Sequence, residues 1–558
     1  MADKKKYGLS SILKSELGDD PLRINELPVR RVPDYMRKKG GIWYWTGALI
    51  TMAFLYQVIT GLILLLYYNA GNPYVSTEFM LTNIPYGALF LTTHLYGAYA
   101  MIVLVYVHMF RNYFYGSYKK PRQIQWILGV ILLATTIGVG YFGYSMTGDV
   151  LAIDATDVGR GIAAALPVIG NPLASIFFGG GTTVSLFEKM LGWHVILAAV
   201  VGGLFGLHFY LAETNSMAPS HKESNYKAPA IDEEKPSYKQ WNPYNMVFMI
   251  QLALFTFGAI ILITSIIDAL PSVPTLFDPY PQVAPSSPLA AYVPTYPPWF
   301  LLFVYKAVDF EMFLPFGEFS ALAATVVFAV IPLLYFLGLP FIDSNNDLHP
   351  LGRPIITAFG ILGIIYMAIL SLWGALSPGT QIPVYETAVV LIPPFIVVVG
   401  GMLLIGRLYK KGKFEVSSNK LIGSSILFLL LLMFTMYSLT QNFSSFLSTP
   451  NGLNLAATFF SGGVTVFAAV GTMKSAQATS KYESTNSKKK SNPVPLSINS
   501  AIVISAILAV VAVGIMYAIW GLDPVDIVAE ATFGIGLGVI LIIGGVILRV
   551  YRMAVYNE

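Results

Sequence analysis

The stretch THLYGAYAMIVLVYVH, residues 93–108, is apolar enough to lie in a membrane, yet it carries a histidine near each end. The stretch WHVILAAVVGGLFGLH, residues 193–208, repeats this pattern. Four of the chain's six histidines therefore form two pairs with a spacing of fourteen residues, His94 with His108 and His194 with His208. Fourteen residues are nearly four helical turns, so each pair lies within about 40° of one helical face and roughly 21 Å apart along the axis.

The composition is that of a membrane protein. The chain has 558 residues, of which 55% are hydrophobic and 11% are charged. Apolar runs of about 20 residues span a bilayer, and they must be helical because lipid cannot satisfy backbone polar groups. The sequence predicts an all-α polytopic membrane protein with about twelve transmembrane helices. The predicted spans are 42–68, 86–112, 124–147, 189–212, 245–270, 317–341, 353–376, 384–408, 421–441, 453–474, 500–521 and 531–550.

The basic residues predict the orientation of these spans. With twelve spans, 31 of the 34 Lys and Arg residues fall on one side, and only Arg160, Lys189 and Lys306 fall on the other. The positive-inside rule then places both termini in the cytoplasm of a multi-pass cell-membrane protein. The basic residues thus follow the topology and do not indicate nucleic-acid binding. The chain has no cysteine, which excludes disulfides and iron–sulfur ligation by this chain.

We expect four regions along the chain. Residues 1–41 form a cytoplasmic arm, 42–230 a four-helix domain with all four membrane histidines, and 231–410 a second four-helix domain with a Pro-rich outer loop. Residues 411–558 form an extra four-helix extension. Its membrane segments hold almost no ionisable groups, and Glu530 is expected in an outer loop, so we interpret the extension as a docking surface for partner subunits.

The predicted topology pairs histidines from different helices. The second and fourth spans both run from outside to inside, so His94 and His194 lie at the outer level and His108 and His208 at the inner level. Two imidazoles at each level suit a six-coordinate haem that transfers electrons. Zinc is a weaker alternative because its sites usually recruit more ligands. A single membrane histidine is more often a packing or proton-relay group, but the doubled pattern favours two stacked haems.

Glycines and cations give further signals for these haems. Four glycines in the first and third spans also have fourteen-residue spacing, and glycine permits the close backbone approach that a porphyrin edge needs. These are Gly47 and Gly129 at the inner level, and Gly61 and Gly143 at the outer level. Ordinary helix packing also uses small residues. Arg111 and Lys189 are the candidate partners for anionic haem propionates at the inner and outer ends.

At this point the sequence resembles cytochrome b, the haem-bearing subunit of Rieske–cytochrome b complexes, and above all its archaeal versions. The resemblance covers roughly residues 40–410. It rests on the histidine pairs and on the motifs QVITG (57–61), HMFRNYFYGSY (108–118), GYSMTGD (143–149), ALPVIGNPL (165–173), HFYLAETNS (208–216) and PPWFLLFVY (297–305). In archaeal members this subunit can belong to a quinol-oxidase supercomplex.

The resemblance implies an oxidoreductase function. Quinol would be oxidised at the outer face, one electron leaving to a Rieske iron–sulfur protein and the other passing through the two haems, with release of protons. The implied pocket residues are Tyr144, Asp149, Pro297, Trp299 and Tyr305. The family's Pro-Glu-Trp-Tyr motif is here Pro-Pro-Trp-Phe at 297–300. The glutamate that usually accepts a proton is therefore missing, and Asp149, Asp278, Tyr144 and Tyr305 are candidate replacements.

Other family features are absent or open. An arginine expected three residues before the first histidine is Leu91, and the inner histidine after the fourth span is missing; Glu213, Ser216 and His221 are candidate substitutes. Hence a full Q-cycle and an inner quinone site stay unassigned. The haems could be b-type or, as in some archaeal relatives, A-type.

The implied partners are a Rieske protein, other respiratory or terminal oxidase subunits, membrane lipid and quinol, with a homodimer as a possible assembly. No turnover is expected from this chain alone. Two other functions compete with this one. A twelve-span secondary transporter would need no haem, but the internal repeats typical of transporters are not evident. A two-haem transmembrane reductase would need only four to six helices.

Overall fold

A computed structural model describes residues 41–215, 241–412 and 496–556, together with 452–464 and single positions within 32–36 and 427–466. No β-strand occurs among these residues, so the all-α prediction is confirmed. The continuous segments contain fifteen α-helices. They are α1 (Thr46–Leu65), α2 (Pro73–Asn83), α3 (Gly87–Tyr115), α4 (Gln123–Tyr144), α5 (Val150–Ala164), α6 (Gly170–Phe178), α7 (Thr183–Asn215), α8 (Met246–Asp268), α9 (Leu302–Val308), α10 (Ser320–Thr325), α11 (Ile331–Ile342), α12 (Pro354–Leu376), α13 (Val384–Lys410), α14 (Ile498–Ile519) and α15 (Ile527–Val555).

Ten helical segments of the described chain are long and apolar enough to cross a membrane. They coincide with the first eight and the last two of the twelve predicted spans. The predicted ninth and tenth spans, 421–441 and 453–474, lie largely outside the described residues, although 452–464 is helical. A polytopic membrane protein is therefore confirmed, while the count of twelve and the orientation of the termini stay predictions.

The sixth span is composite. Glu311–Ile342 combines a 3₁₀ segment, α10, a π-helical turn at Val326–Val330 and α11. Pro315 and Pro340 lie inside it, and each removes a backbone donor from the helix. Gly317 has a φ of 58°, which breaks the regular path near the outer end. The predicted span, 317–341, covers the later part of this segment.

The histidine-bearing helices form a four-helix arrangement. Helix α1 packs along α3, α4 packs along α7, and α3 also contacts α4. Short helices α5 and α6 connect α4 to α7. The second block packs onto this bundle through one apolar core, which joins Phe110 and Tyr113 of α3 to Leu362 and Ile365 of α12. The two predicted four-helix regions therefore share a core.

A buried polar network ties the end of α3 to the segment after α11. Asp343 is 2.9 Å from Lys119 Nζ and 3.3 Å from Arg353 Nη1 and also accepts a hydrogen bond from Tyr118. All four side chains are buried. Although burial by itself raises the pKa of Asp343, the hydrogen bonds from Tyr118 and Lys119 and the charge of Arg353 lower it overall.

The last helix packs against other helices of the same chain, and the docking interpretation of its block stays a prediction. Helix α15 packs along α8 and also contacts α3 and α14. The helices approach closely at glycines, because a Cβ on Gly258 of α8 would lie 2.9 Å from the carbonyl oxygen of Gly538. Near the C-terminal end of α15, Arg552 donates to Gln251 Oε1 at 3.0 Å. Glycines on α15 therefore allow a close contact with a neighbouring helix of the same chain.

Candidate metal centres

The four membrane histidines form two facing pairs. The ring centroids of His94 and His194 are 6.3 Å apart with an interplanar angle of 68°. Those of His108 and His208 are 6.5 Å apart with an angle of 73°. The pairing therefore joins α3 to α7 at two levels, as the topology predicts. Both centres lie among four helices. Helices α3 and α7 carry the histidines, and α1 and α4 cover them.

The separation of the rings fits one metal ion between them. A metal–imidazole bond of about 2.0 Å, plus roughly 1.1 Å from the nitrogen to the ring centre, puts two trans rings about 6.2 Å apart. Both observed separations agree with this value. No cluster of three or more His, Asp or Glu suited to a metal ion occurs in the described part of the chain. Two axial imidazoles around a planar macrocycle therefore fit this donor set better than a tetrahedral zinc site.

Threonines of α1 orient the histidines of α3. Thr60 Oγ1 is 2.8 Å from His94 Nδ1, and Thr46 Oγ1 is 2.8 Å from His108 Nδ1. Each hydroxyl proton is given to a backbone carbonyl, that of Tyr56 or of Trp43. The threonine oxygen therefore accepts from Nδ1–H, which leaves Nε2 as the lone-pair nitrogen for a metal.

Backbone carbonyls of α4 orient the histidines of α7. His194 Nδ1 donates to the Val139 carbonyl at 3.0 Å. The Gln125 carbonyl interacts with His208 in the corresponding place, but this contact is looser than that of His194 and leaves His208 Nδ1 without a well-formed hydrogen bond. These orienting residues were missed from the sequence. Their signal was available, because Thr46 and Thr60, like Gln125 and Val139, are fourteen residues apart.

Each predicted glycine lies against one histidine of its own level. A Cβ added to Gly143 would be 2.7 Å from His194 Cε1, and one on Gly61 would be 3.1 Å from His94 Cε1. At the inner level the corresponding distances are 3.3 Å from Gly47 to His108 Cε1 and 3.2 Å from Gly129 to His208 Cε1. The glycines thus make room for the imidazole rings, a more specific role than approach to a porphyrin edge.

A cavity of about 440 Å³ surrounds the inner pair. Its lining includes His108, His208, Gly47 and Gly129, and its polar part includes Arg111. This volume lies in the range of cofactor sites. The cavity therefore brings the predicted inner ligands, glycines and cation together.

Arg111 is held at this cavity by aromatic rings. Its guanidinium carbon is 4.4 Å from the ring centres of both Tyr44 and Tyr115, and Nη1 donates to Asn112 Oδ1 at 2.6 Å. Asn112 Nδ2 in turn lies 3.0 Å from His108 Nε2, so the amide must leave this nitrogen when a metal binds. At the outer level, Lys189 is exposed on α7, five residues before His194, and the structure gives it no contact with the outer pair.

The Pro-Pro-Trp-Phe segment lies over α3 and α4 at the outer side. Pro297 is buried, and the Trp299 ring packs edge-on against Tyr99 with centroids 5.5 Å apart. A Cβ on Gly140 of α4 would be 3.2 Å from Phe300 Cζ. The Trp299 Nε1–H is buried without a hydrogen-bond partner, so an indole donor is available there.

The other predicted pocket residues are engaged with the backbone. Tyr144 donates to the Tyr296 carbonyl at 3.3 Å, and Tyr305 donates to the Ala155 carbonyl at 3.2 Å. Asp149 caps α5 by accepting from Ala152 N at 2.9 Å, and it also accepts from Gln282 N at 2.7 Å. Burial raises the pKa of Asp149, and these hydrogen bonds oppose the rise. Ser216 and His221 lie outside the described residues.

Comparisons with known proteins identify the family of this chain. A family model described as cytochrome b(N-terminal)/b6/petB matches residues 99–285. The chain is 34% identical to a cytochrome b of Sulfolobus acidocaldarius, covering 100% of this chain and 99% of that relative. A cytochrome b of Allochromatium vinosum is 24% identical over 62% of this chain and 84% of its own length. A cytochrome b6 of Heliobacterium mobile is 33% identical over 32% of this chain and 85% of its own length.

A solved structure has a similar fold. A chain of a "Hyperthermophilic respiratory Complex III" aligns with a TM-score of 0.51 and 21% identity, covering 71% of this chain and 94% of that chain. At this identity the likeness concerns the fold alone. The full-length match to the Sulfolobus relative also includes the last block, which the sequence motifs had left outside the resemblance.

Proposed function

Since this chain belongs to the cytochrome b family, and is therefore a haem-carrying electron-transfer subunit, we propose that it holds two bis-histidine haems and oxidises quinol in a membrane complex. The observation that carries the proposal is the pair of histidine levels with trans-ligand spacing. His94 and His194 would bind the outer haem, and His108 and His208 the inner haem.

A haem bound at each level supplies a one-electron redox centre. The chain's own residues then set its orientation and access. Thr46, Thr60 and the Val139 carbonyl hold the Nδ1–H groups and so fix the rings. Arg111 offers positive charge to an inner propionate, and Lys189 is the corresponding proposal for the outer one. The haems are b-type or A-type.

We assign quinol oxidation to the outer pocket between the end of α4 and the Pro-Pro-Trp-Phe segment. Trp299 supports it with its unpartnered buried indole donor, and Pro297 closes the backbone around it. Tyr144 and Tyr305 would line the pocket. Asp149 would shape it by clamping residue Gln282 of the loop to the start of α5.

The complex we propose contains a Rieske iron–sulfur protein, which would accept one electron from quinol, and His94 and His194 would hold the haem that serves as acceptor for the other. Proton release to the outside accompanies this transfer. Other respiratory or terminal oxidase subunits complete the complex, and a homodimeric form fits the same scheme. The chain would lie in the cell membrane with both termini in the cytoplasm, in agreement with its basic residues. Turnover requires the iron–sulfur partner.

The test is to replace each histidine ligand in the purified complex by leucine and to measure haem content and quinol-driven haem reduction. We expect His94→Leu to remove the outer haem and His108→Leu the inner one, with the other haem retained. His349→Leu is the control, because His349 is also buried but stacks on Tyr409 outside the bundle, with ring centroids 4.8 Å apart. Retention of both haems in the ligand variants would contradict the assignment.

The same experiment separates the competing functions. A transporter without haem would yield a colourless complex whose histidine variants change transport only. A two-haem reductase without a quinol pocket would keep both haems but show no quinol-driven reduction in the presence of the iron–sulfur partner. The proposal expects two haems and rapid reduction.

A further inference from the structure

The proposed quinol pocket lacks a carboxylate at the place where the family motif has one, since Pro298 replaces it. Asp149 and Asp278, the nearby acids, have both oxygens occupied: Asp149 by Ala152, Thr147 and Gln282, and Asp278 by Tyr280 N and Gln282 Nε2. Protonation of either carboxylate would compete with these hydrogen bonds, so an acid with an unpartnered oxygen is the better proton acceptor.

Glu530 of the last helix has such a free oxygen. Its side chain is buried, with 1% of the residue exposed, and Oε2 accepts from the backbone N–H of Leu89 at 2.8 Å. The Ala88 N–H also interacts with this carboxyl, while Oε1 is buried without a hydrogen-bond partner of its own. The carboxyl thus lies at the start of α3, the helix that carries His94, and not in an outer loop as the sequence predicted.

Asp268, at the end of α8, is the second acid of this cluster. Its Oδ2 accepts from Thr92 Oγ1 at 2.7 Å, while Oδ1 is buried and unpartnered. The hydroxyl of Tyr280 is also buried without a partner and interacts electrostatically with both Asp268 and Glu530. Three unpartnered oxygens from three separate elements therefore converge at the outer end of α3.

The charged groups around this cluster are all acidic. Asp278 acts on Asp268, and both of these acids act on Tyr280 together with Glu530. Asp268 and Asp526 act on Glu530. No basic side chain is among these electrostatic neighbours in the described residues. Like charges that are buried together repel, so the cluster can hold a proton and has no cation to displace it. This is the property that a proton acceptor requires.

One face of α3 connects the cluster to the pocket. Leu89, Thr92, Tyr96 and Tyr99 follow one another at helical spacing along this face. The Tyr96 and Tyr99 rings have centroids 5.4 Å apart, and Tyr99 contacts Trp299 at 5.5 Å. The Tyr96 hydroxyl donates to the Phe277 carbonyl, which precedes Asp278. Tyr96, one helical turn after Thr92, is therefore linked through Tyr99 to the Pro-Pro-Trp-Phe segment.

We propose that Asp268 and Glu530 together accept a proton released when quinol is oxidised, in place of the missing motif glutamate. This inference rests on the proposed function. It also assigns a role to the last helix, because Glu530 brings a proton-accepting group from the C-terminal block to the outer side of the haem bundle.

Quinol loses two electrons and two protons and becomes quinone. One electron goes to the iron–sulfur partner, and the other would go to the outer haem. One of these protons passes along hydroxyls and water to the Asp268–Glu530 cluster, and from there to the outer solution. The other leaves by a separate route. The two carboxyls act as relay residues that do not touch quinol.

The experiment measures outer-haem reduction by a short-chain quinol in the purified complex with its iron–sulfur partner, over a range of pH. Variants are Asp268→Asn, Glu530→Gln and their combination, and Asp523→Asn, an exposed acid of the neighbouring outer loop, is the matched control. We expect the rate in the combined variant to fall by about 100-fold, in line with general-base catalysis. The rate should also lose its rise with pH, since only a deprotonated carboxyl can accept the proton.

Haem content and dithionite-reduced spectra are measured in every variant. Unchanged spectra with a slow, pH-independent quinol reaction support the inference, whereas wild-type rates and pH profile in the combined variant overturn it. If a variant fails to assemble, infrared redox-difference spectra of the wild type decide: a carboxyl signal that is present with quinol and absent with dithionite supports the inference, and its absence overturns it. Failure of wild type to react with quinol would instead refute the proposed function.

Discussion

Replacement of Gly143 by alanine tests how closely the outer site is built around its imidazoles. The new Cβ would lie 2.7 Å from His194 Cε1 and 2.9 Å from Nδ1, distances that are too short for a van der Waals contact. The ring must move by several tenths of an ångström, away from the Val139 carbonyl that orients it at 3.0 Å. Overpacking of this kind costs about 1–3 kcal/mol, and loss of the hydrogen bond costs about 0.5–1.5 kcal/mol.

The expected result is weaker binding of the outer haem alone. A loss of about 2 kcal/mol corresponds to roughly 30-fold in affinity, which should appear as a lower outer-haem occupancy or a shifted midpoint potential in a redox titration. Gly61→Ala should act on the same haem less strongly, because its Cβ would meet His94 Cε1 at 3.1 Å. Gly203→Ala on α7 is the control, since nothing lies within 4 Å of its Cβ. Equal spectra of Gly143→Ala and Gly203→Ala, or equal losses of both haems, would show that the contact of Gly143 with His194 does not determine binding of the outer haem.

Three further predictions concern other contacts. Thr60→Val removes the acceptor for His94 Nδ1–H and should shift the midpoint potential of the outer haem or lower its affinity by about 10- to 100-fold. Thr46→Val should have the same effect at the inner haem. Redox titration of each variant tests this. Asp343→Ala leaves Lys119 and Arg353 buried without their counter-charge and should lower the free energy of unfolding by about 3–5 kcal/mol, measured by thermal denaturation of the complex. Because the folded pKa of Asp343 is depressed, its contribution is complete above the unfolded pKa and is lost as pH falls through the folded pKa, so wild type should lose more stability than Asp343→Ala in acid.

The histidine arrangement could be predicted because it depends on periodicity and direction alone. Two pairs with fourteen-residue spacing on two helices that run the same way must face each other at two levels if their faces meet. The glycines followed from the same spacing. Their contact with the imidazole rings did not, because a sequence pattern assigns residues to a helix face and does not say which atoms lie opposite.

The placement of Glu530 and of α15 could not be predicted, because it depends on contacts with neighbouring helices. Glu530 was assigned to a loop because the apolar run begins after it, yet Asp526 caps α15 through Ala529 N and so starts the helix earlier. The packing of α15 along α8 was not predicted, because an apolar helix face can pack against a partner subunit or against a helix of its own chain. The free oxygens of Asp268 and Glu530 likewise become visible only when both helix ends are brought together at α3.

The number of haems in the purified wild-type complex tests the two-haem assignment. Pyridine haemochrome analysis, together with a dithionite-reduced minus oxidised spectrum and a low-temperature electron paramagnetic resonance spectrum, measures the number, type and axial ligation of the haems. We expect two low-spin haems per copy of this chain, each with two histidine ligands and with distinct midpoint potentials. One haem per chain, or none, would contradict it.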